Sequence, residues 1–222
     1  MNLFSIFDPL SYFKLSLNWM SLGFIFFPIS FCFWINSSKK FILMNNIIIY
    51  LNNEMKVLLK NKVLGKTLFF ICIMMFILMN NFMGLYPYMF TFTSHLTLTL
   101  TLALPLWLSS VMYGWVNNFI KMLSHMIPMS TSLVLMPFMS CIELMSIIIR
   151  PMTLSIRLAT NMIAGHLLLT LLSNSSYYNE KIYMKFIIIM IQVLLLLLEL
   201  GVALVQSYVF STLSILYNSE SN

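Results

Sequence analysis

Residues 131–172 decide the fold, and their centre reads Arg150-Pro-Met-Thr-Leu-Ser-Ile-Arg157-Leu-Ala-Thr-Asn161-Met-Ile-Ala-Gly165-His166. The stretch is apolar enough to enter a bilayer, yet it carries two arginines. A charge at the bilayer centre costs about 2.5–3.5 kcal/mol on insertion scales. A basic residue near a helix end can reach the headgroups along its long stem, a reading open for Arg150. Arg157, with apolar-rich sequence on both sides, is read as a functional candidate. Glu143, Arg150 and Arg157 stand seven residues apart, which places them on one stripe of a helix. Thr153, Thr160, Asn161, Ala164 and Gly165 lie on or beside that stripe. Small residues there let another helix approach closely.

Working outward, residues 131–172 as one helix would measure about 63 Å, twice the roughly 30 Å of hydrocarbon. No polar turn divides the stretch, so it is expected to bend at Pro137 or Pro151 or to lie strongly tilted. A polar loop beginning at Ser173 follows, and residues 182–217 form a second overlong apolar segment. Two such helices joined by a short loop predict a tilted hairpin. The second arm has its own polar line, Gln192, Glu199 and Gln206, again spaced by seven. Glu199 stands within a leucine run, where its charge is costly, and a carboxyl so placed is poised to take up and release a proton. For Gln192 and Gln206 a functional and a structural reading weigh about evenly, since interhelical hydrogen bonding alone accounts for many buried glutamines.

The 222 residues are 60% hydrophobic and 8% charged, against about 25% charged in soluble domains. Mean hydropathy is +0.93. Recurring long apolar runs predict an all-α integral membrane protein rather than a barrel, whose segments would be short and alternating. We expect a single membrane domain of five transmembrane helices and one amphipathic interfacial helix. The spans are predicted at 15–35, 68–90, 95–117, 131–172 and 182–217, with the amphipathic helix at 39–66. The alternating Thr97, Thr99 and Thr101 would suit a strand by period alone, but no barrel partners exist for one. Lysines 39, 40, 56, 60, 62 and 66 oppose only Glu54, which marks that loop as the inside of the membrane. The net charge of +6 is therefore read as topology and not as nucleic-acid binding. Cys32, Cys72 and Cys141 are isolated, with no metal or redox spacing. The start of the chain lacks a basic region and a cleavage site, so the spans themselves are expected to direct insertion. No nucleophile and base set, phosphate loop or metal cluster points to chemistry on a substrate, and no cofactor is expected.

The series Arg150-Pro151, Arg157-Leu158-x-x-Asn161-Met162-x-Ala164-Gly165-His166, with Glu199 and Gln206 downstream, resembles subunit a of the rotary F-type ATP synthases, most of all the mitochondrially encoded branch. The likeness covers the whole chain in length and hydropathy, and its specific part is 143–166 and 192–208. It implies a long tilted hairpin wrapped against a ring of c subunits, with peripheral-stalk and other membrane-sector subunits as further partners. It implies that Arg157 is the electrostatic gate facing the ring's proton-carrying carboxylates. His166, Glu199 and Gln206 fall where the family places the intermembrane-space half-channel, and Glu143 where it places the matrix half-channel. Asn161 lies one turn from Arg157. The resemblance implies the mitochondrial inner membrane, with the lysine-rich loop in the matrix, the N-terminus in the intermembrane space and the C-terminus in the matrix. Two other readings stay open on the residues alone: a secondary ion transporter or channel using an Arg/Glu site, and a non-catalytic membrane subunit of a respiratory complex. Half-repeat symmetry, expected of many transporters, is not visible.

Overall fold

A computed structural model describes residues 3–10, 15–26, 38–59, 64–86, 89–127, 132, 135–178 and 181–221. The described residues are helical or irregular, without strand. The chain opens with two 3-10 helices, Leu3–Phe7 and Leu17–Phe26. Then come α1 (Lys39–Leu58), α2 (Leu64–Gly84), a short 3-10 turn Phe92–Ser94, α3 (Leu96–Asn117), α4 (Phe119–Met126), α5 (Met136–Tyr178) and α6 (Ile182–Ser221). Among the described residues four helices are long and apolar enough to cross a membrane: Gly65–Gly84, Leu96–Asn117, Met136–Ser176 and Ile182–Ser219. Of the first predicted span, Leu17–Phe26 winds as 3-10 helix and 27–35 lie outside the described residues.

Local chemistry explains where helices run on and where they stop. The Thr99 and Thr101 hydroxyls donate to the carbonyls of Leu96 and Leu98, at 3.1 and 2.8 Å. Each threonine is thereby satisfied within the preceding turn, and the alternating run is helical. The serines predicted as loop do the same: Ser173, Ser175 and Ser176 bond back to Thr170, Leu172 and Ser173. They extend α5 beyond residue 172, to Tyr178. α2 ends at Gly84 rather than at 90 because the chain turns back there. A Cβ on Gly84 would lie 3.1 Å from Thr91 Cγ2 and 3.4 Å from Met162 Cε.

α1 departs from the expectation of a single interfacial helix over 39–66. It is capped by Ser38, whose hydroxyl accepts from the Phe41 amide, and it ends at Leu58. Its charges sit at the two ends, Lys39 and Lys40 at one and Glu54 and Lys56 at the other. Residues 60–63 lie outside the described residues, and Lys66 belongs to α2, where its ammonium stands 4.8 Å from the Tyr113 ring centroid on α3.

Behind the α5–α6 hairpin, α3 packs on both arms and α2 packs on α6. One core layer joins all four: Ile77, Ala103, Leu154, Leu158 and Phe210. A second cluster ties the end of α1 to α2 and α6 through Met55, Leu59, Phe70, Ile71, Met74 and Ile215. α5 is 43 residues, about 64 Å. Pro137 occupies its first turn, where a missing N–H is harmless, and the buried Pro151 is carried inside the helix.

Candidate functional site

Two contacts set the register of the hairpin. The Asn161 amide donates to the Gln206 side-chain oxygen at 2.7 Å. One turn along α5, Gly165 meets Glu199: a Cβ on Gly165 would lie 2.5 Å from Glu199 Oε1 and 2.8 Å from its Cδ. Advancing along α5 is therefore retreating along α6, and the arms are antiparallel. Glu199 rests directly on the Gly165 backbone, in space that only a residue without a side chain leaves free.

The two faces of α5 differ. Leu154, Ser155, Leu158, Ala159 and Met162 turn inward and are buried. Thr153, Ile156, Arg157, Thr160, Asn161 and Ala164 turn outward and are exposed. The small-residue stripe read from the sequence is thus uncovered at Thr153, Thr160, Asn161 and Ala164, while Gly165 is covered by Glu199. On α6, Leu197, Leu200, Gly201, Leu204 and Val205 are exposed as well. Among the described residues no side chain pairs with the Arg157 guanidinium, and Asn161, one turn away, is committed to Gln206.

On the far side of Gly165 lies a cavity of about 960 Å³. Its lining includes His166, Thr170 and Ser173 from α5, Gln192 from α6, and Asp8 and Asn18 from the N-terminal segments. The Phe7 ring stands edge-on to the His166 imidazole, with centroids 6.5 Å apart. His166 Nε2 and both carboxyl oxygens of Glu199 are buried without a hydrogen-bonding partner among the described residues. Buried polar atoms are normally satisfied, so these three are the places where a water or a proton is expected. The arrangement joins a fixed cation on an open face, a carboxyl and an imidazole behind it, and a wide cavity leading away from them.

Arg157, Asn161, Glu199 and Gln206 are thus brought into one region, with His166 beside the cavity. Glu143 is not part of it. It is half-buried on α5, fourteen residues from Arg157, about 21 Å along the helix axis. Arg150 leans the other way, its guanidinium 5.4 Å from the Tyr217 ring centroid near the end of α6. Sequence reasoning passed over Asp8, Asn18 and Asn81. Asn81 is 1% exposed, one turn from Ile77 in the core, and neither of its amide atoms has a hydrogen-bonding partner among the described residues. Two adjacent asparagines inside the apolar run of 68–90 were the available signal for it. Asp8 and Asn18 become visible only when the N-terminal segments fold over α5. Among the described residues no group of three His, Cys, Asp or Glu is placed to hold a metal ion.

A family model described as ATP synthase A chain matches residues 15–219. The chain belongs to the ATP synthase subunit a family. It is 52% identical to "ATP synthase subunit a" of Drosophila melanogaster over 224 residues, covering 100% of this chain and 99% of that one. With the protein of the same name from Anopheles gambiae the identity is 51% over 225 residues, with 100% and 99% covered. With that of Locusta migratoria it is 52% over 223 residues, with 99% and 98% covered. The Arg157 face and the Gly165–Glu199 contact are therefore features of a subunit a chain.

Proposed function

We propose that this chain forms two proton half-channels against a ring of c subunits, with Arg157 as the fixed charge between them. As a member of its family it is a stator membrane subunit of the ATP synthase, takes part in proton translocation and is not an enzyme by itself. It is a multi-pass protein of the mitochondrial inner membrane. The observation that carries the proposal is the position of Arg157 on the exposed small-residue face of α5, without a counter-charge among the described residues. A cation there is complementary to an acidic partner presented by another helix, and the stripe lets that helix come close.

Arginine stays protonated under all relevant conditions, so Arg157 does not relay the proton itself. It favours the ionised form of each ring carboxyl that passes, which releases that proton into one half-channel. The same charge repels a proton moving directly from one half-channel to the other. Each proton crossing carries about 2.3 kcal/mol per 100 mV of membrane potential, which becomes rotation only when that shortcut is closed. On the cavity side, His166 and Glu199 take protons from the intermembrane space, and the Asn161–Gln206 bond holds the two arms together beside Arg157. Glu143 serves the opposite, matrix-side path. In this reading the chain crosses five times, with α1 at the matrix surface, the N-terminus and the connection between α5 and α6 in the intermembrane space, and the C-terminus in the matrix. Peripheral-stalk and other membrane-sector subunits bind the remaining apolar surface. Reconstitution tests the reading: proton flux should require the c ring, and solute-dependent flux without a ring would favour a transporter instead.

A further inference from the structure

The proton-access cavity is closed on one side by the N-terminal segment, and nothing in the reaction described so far uses that segment. Phe7 and Asp8 are consecutive, so their Cα atoms are about 3.8 Å apart. Phe7 stacks edge-on against His166, while Asp8 is exposed and lines the cavity. The position of Asp8 is fixed from two directions. Its amide closes the 3-10 helix on the Ser5 carbonyl at 3.4 Å, and its carbonyl accepts from the Asn18 amide at 3.1 Å. Pro9 follows and restricts the backbone further. The ionisable groups lining the cavity are Asp8 from the N-terminal segment, Tyr86 after α2 and His166 of α5. Asp8 is therefore the sole carboxylate among the described lining residues, in a chain of net charge +6.

From this placement we infer that Asp8 is the proton-collecting group of the cavity, taking protons from bulk water and handing them inward toward His166. The inference rests on the proposed function, because it needs the cavity to be a proton path. A negative charge at the mouth of a low-dielectric cleft concentrates cations and raises their rate of arrival. The carboxylate binds a proton from water, releases it to the water of the cavity and is regenerated, so it acts without being consumed. His166, buried at Nε2 behind the Phe7 ring, depends on such delivery more than an open histidine would.

The test uses the complete ATP synthase in vesicles, with the cavity side accessible and the membrane potential held constant. Synthesis by Asp8→Asn is compared with the unsubstituted complex as pH on the cavity side is raised, first in weak buffer and then in concentrated mobile buffer. In weak buffer the ratio of variant to native rate should fall by about tenfold from the acid to the alkaline end, the lower end of what local charge does to arrival rates. Concentrated mobile buffer, which delivers protons without the antenna, should restore the ratio, and Asp8→Glu should restore it too. A ratio that is flat with pH, whether at one or at a lower constant value, overturns the inference; the lower value would mean a structural role for Asp8. Glu199→Gln measured in parallel separates the two levels. If it stops synthesis while the Asp8→Asn ratio is flat, only the antenna fails. If it synthesises normally, the cavity is not the proton path and both readings fall.

Discussion

Asn161 and Gln206, forty-five residues apart in sequence, share a 2.7 Å hydrogen bond that crosses the hairpin one turn from Arg157. Gln206 is 9% exposed and reaches outward from the core face of α6, while Asn161 stands on the open face of α5. The bond fixes how the open face is presented, because it sets the register of the two arms where the charge sits.

Coupling between the pair should be measurable. In a double-mutant cycle of Asn161→Leu and Gln206→Leu, the interaction term in membrane-like micelles should be about 0.6 kcal/mol, with about 1.7 as an upper bound. Unfolding of the assembled membrane sector provides the readout. Strict additivity of the two substitutions would show that the bond does not hold the hairpin.

Gly165→Ala should leave the fold intact and disturb proton uptake. The added Cβ would meet Glu199 Oε1 at 2.5 Å, and that oxygen is the far end of a flexible side chain, so the carboxyl moves before the helices do. Synthesis should slow, and Glu199→Asp in the same chain should recover part of it by withdrawing the carboxyl by one methylene. An unchanged rate in Gly165→Ala would mean that the position of the carboxyl does not matter.

Much of this architecture was legible in the sequence, and the residues that were not share a reason. The seven-residue spacing of Glu143, Arg150 and Arg157 marked one helix stripe, because helix geometry converts spacing into a face, but of the three only Arg157 is exposed. The same rule did not reveal that Arg150 turns to Tyr217, since that follows from how α6 crosses α5. The Gly165–Glu199 contact depends on inter-helix register, which no single-helix pattern carries. Serines 173, 175 and 176 read as a loop because serine composition favours turns, but carbonyls one turn back satisfied their hydroxyls and the helix continued. Asn81 escaped notice because an asparagine near the end of an apolar run resembles a span terminus.

Glu199→Gln should assemble normally and synthesise poorly. The amide keeps the shape that packs on Gly165, and it removes the proposed proton-exchanging group. Normal proton-driven synthesis in a fully assembled mutant would reduce Glu199 to a structural residue.

The proposed orientation of the chain rests on its lysines. Protease added to mitoplasts, from which the outer membrane has been removed, should reach the connection between α5 and α6 from the intermembrane-space side while the C-terminus stays protected. Cleavage of that connection only from the matrix side would invert the topology and assign the cavity to the opposite compartment.

Arg157→Gln separates a gate from a packing residue most directly. The substitution removes the charge and keeps a polar side chain on a face that is already exposed, so the hairpin should form and bind the ring. The measurement is proton-driven ATP synthesis, together with passive proton leak, in reconstituted complexes verified to contain both the mutant subunit and the c ring. The account predicts that synthesis stops, because nothing then drives the ring carboxyl to ionise as it passes, and that leak rises because the barrier between the half-channels is gone. Coupled synthesis at a near-native rate in those verified complexes would contradict it.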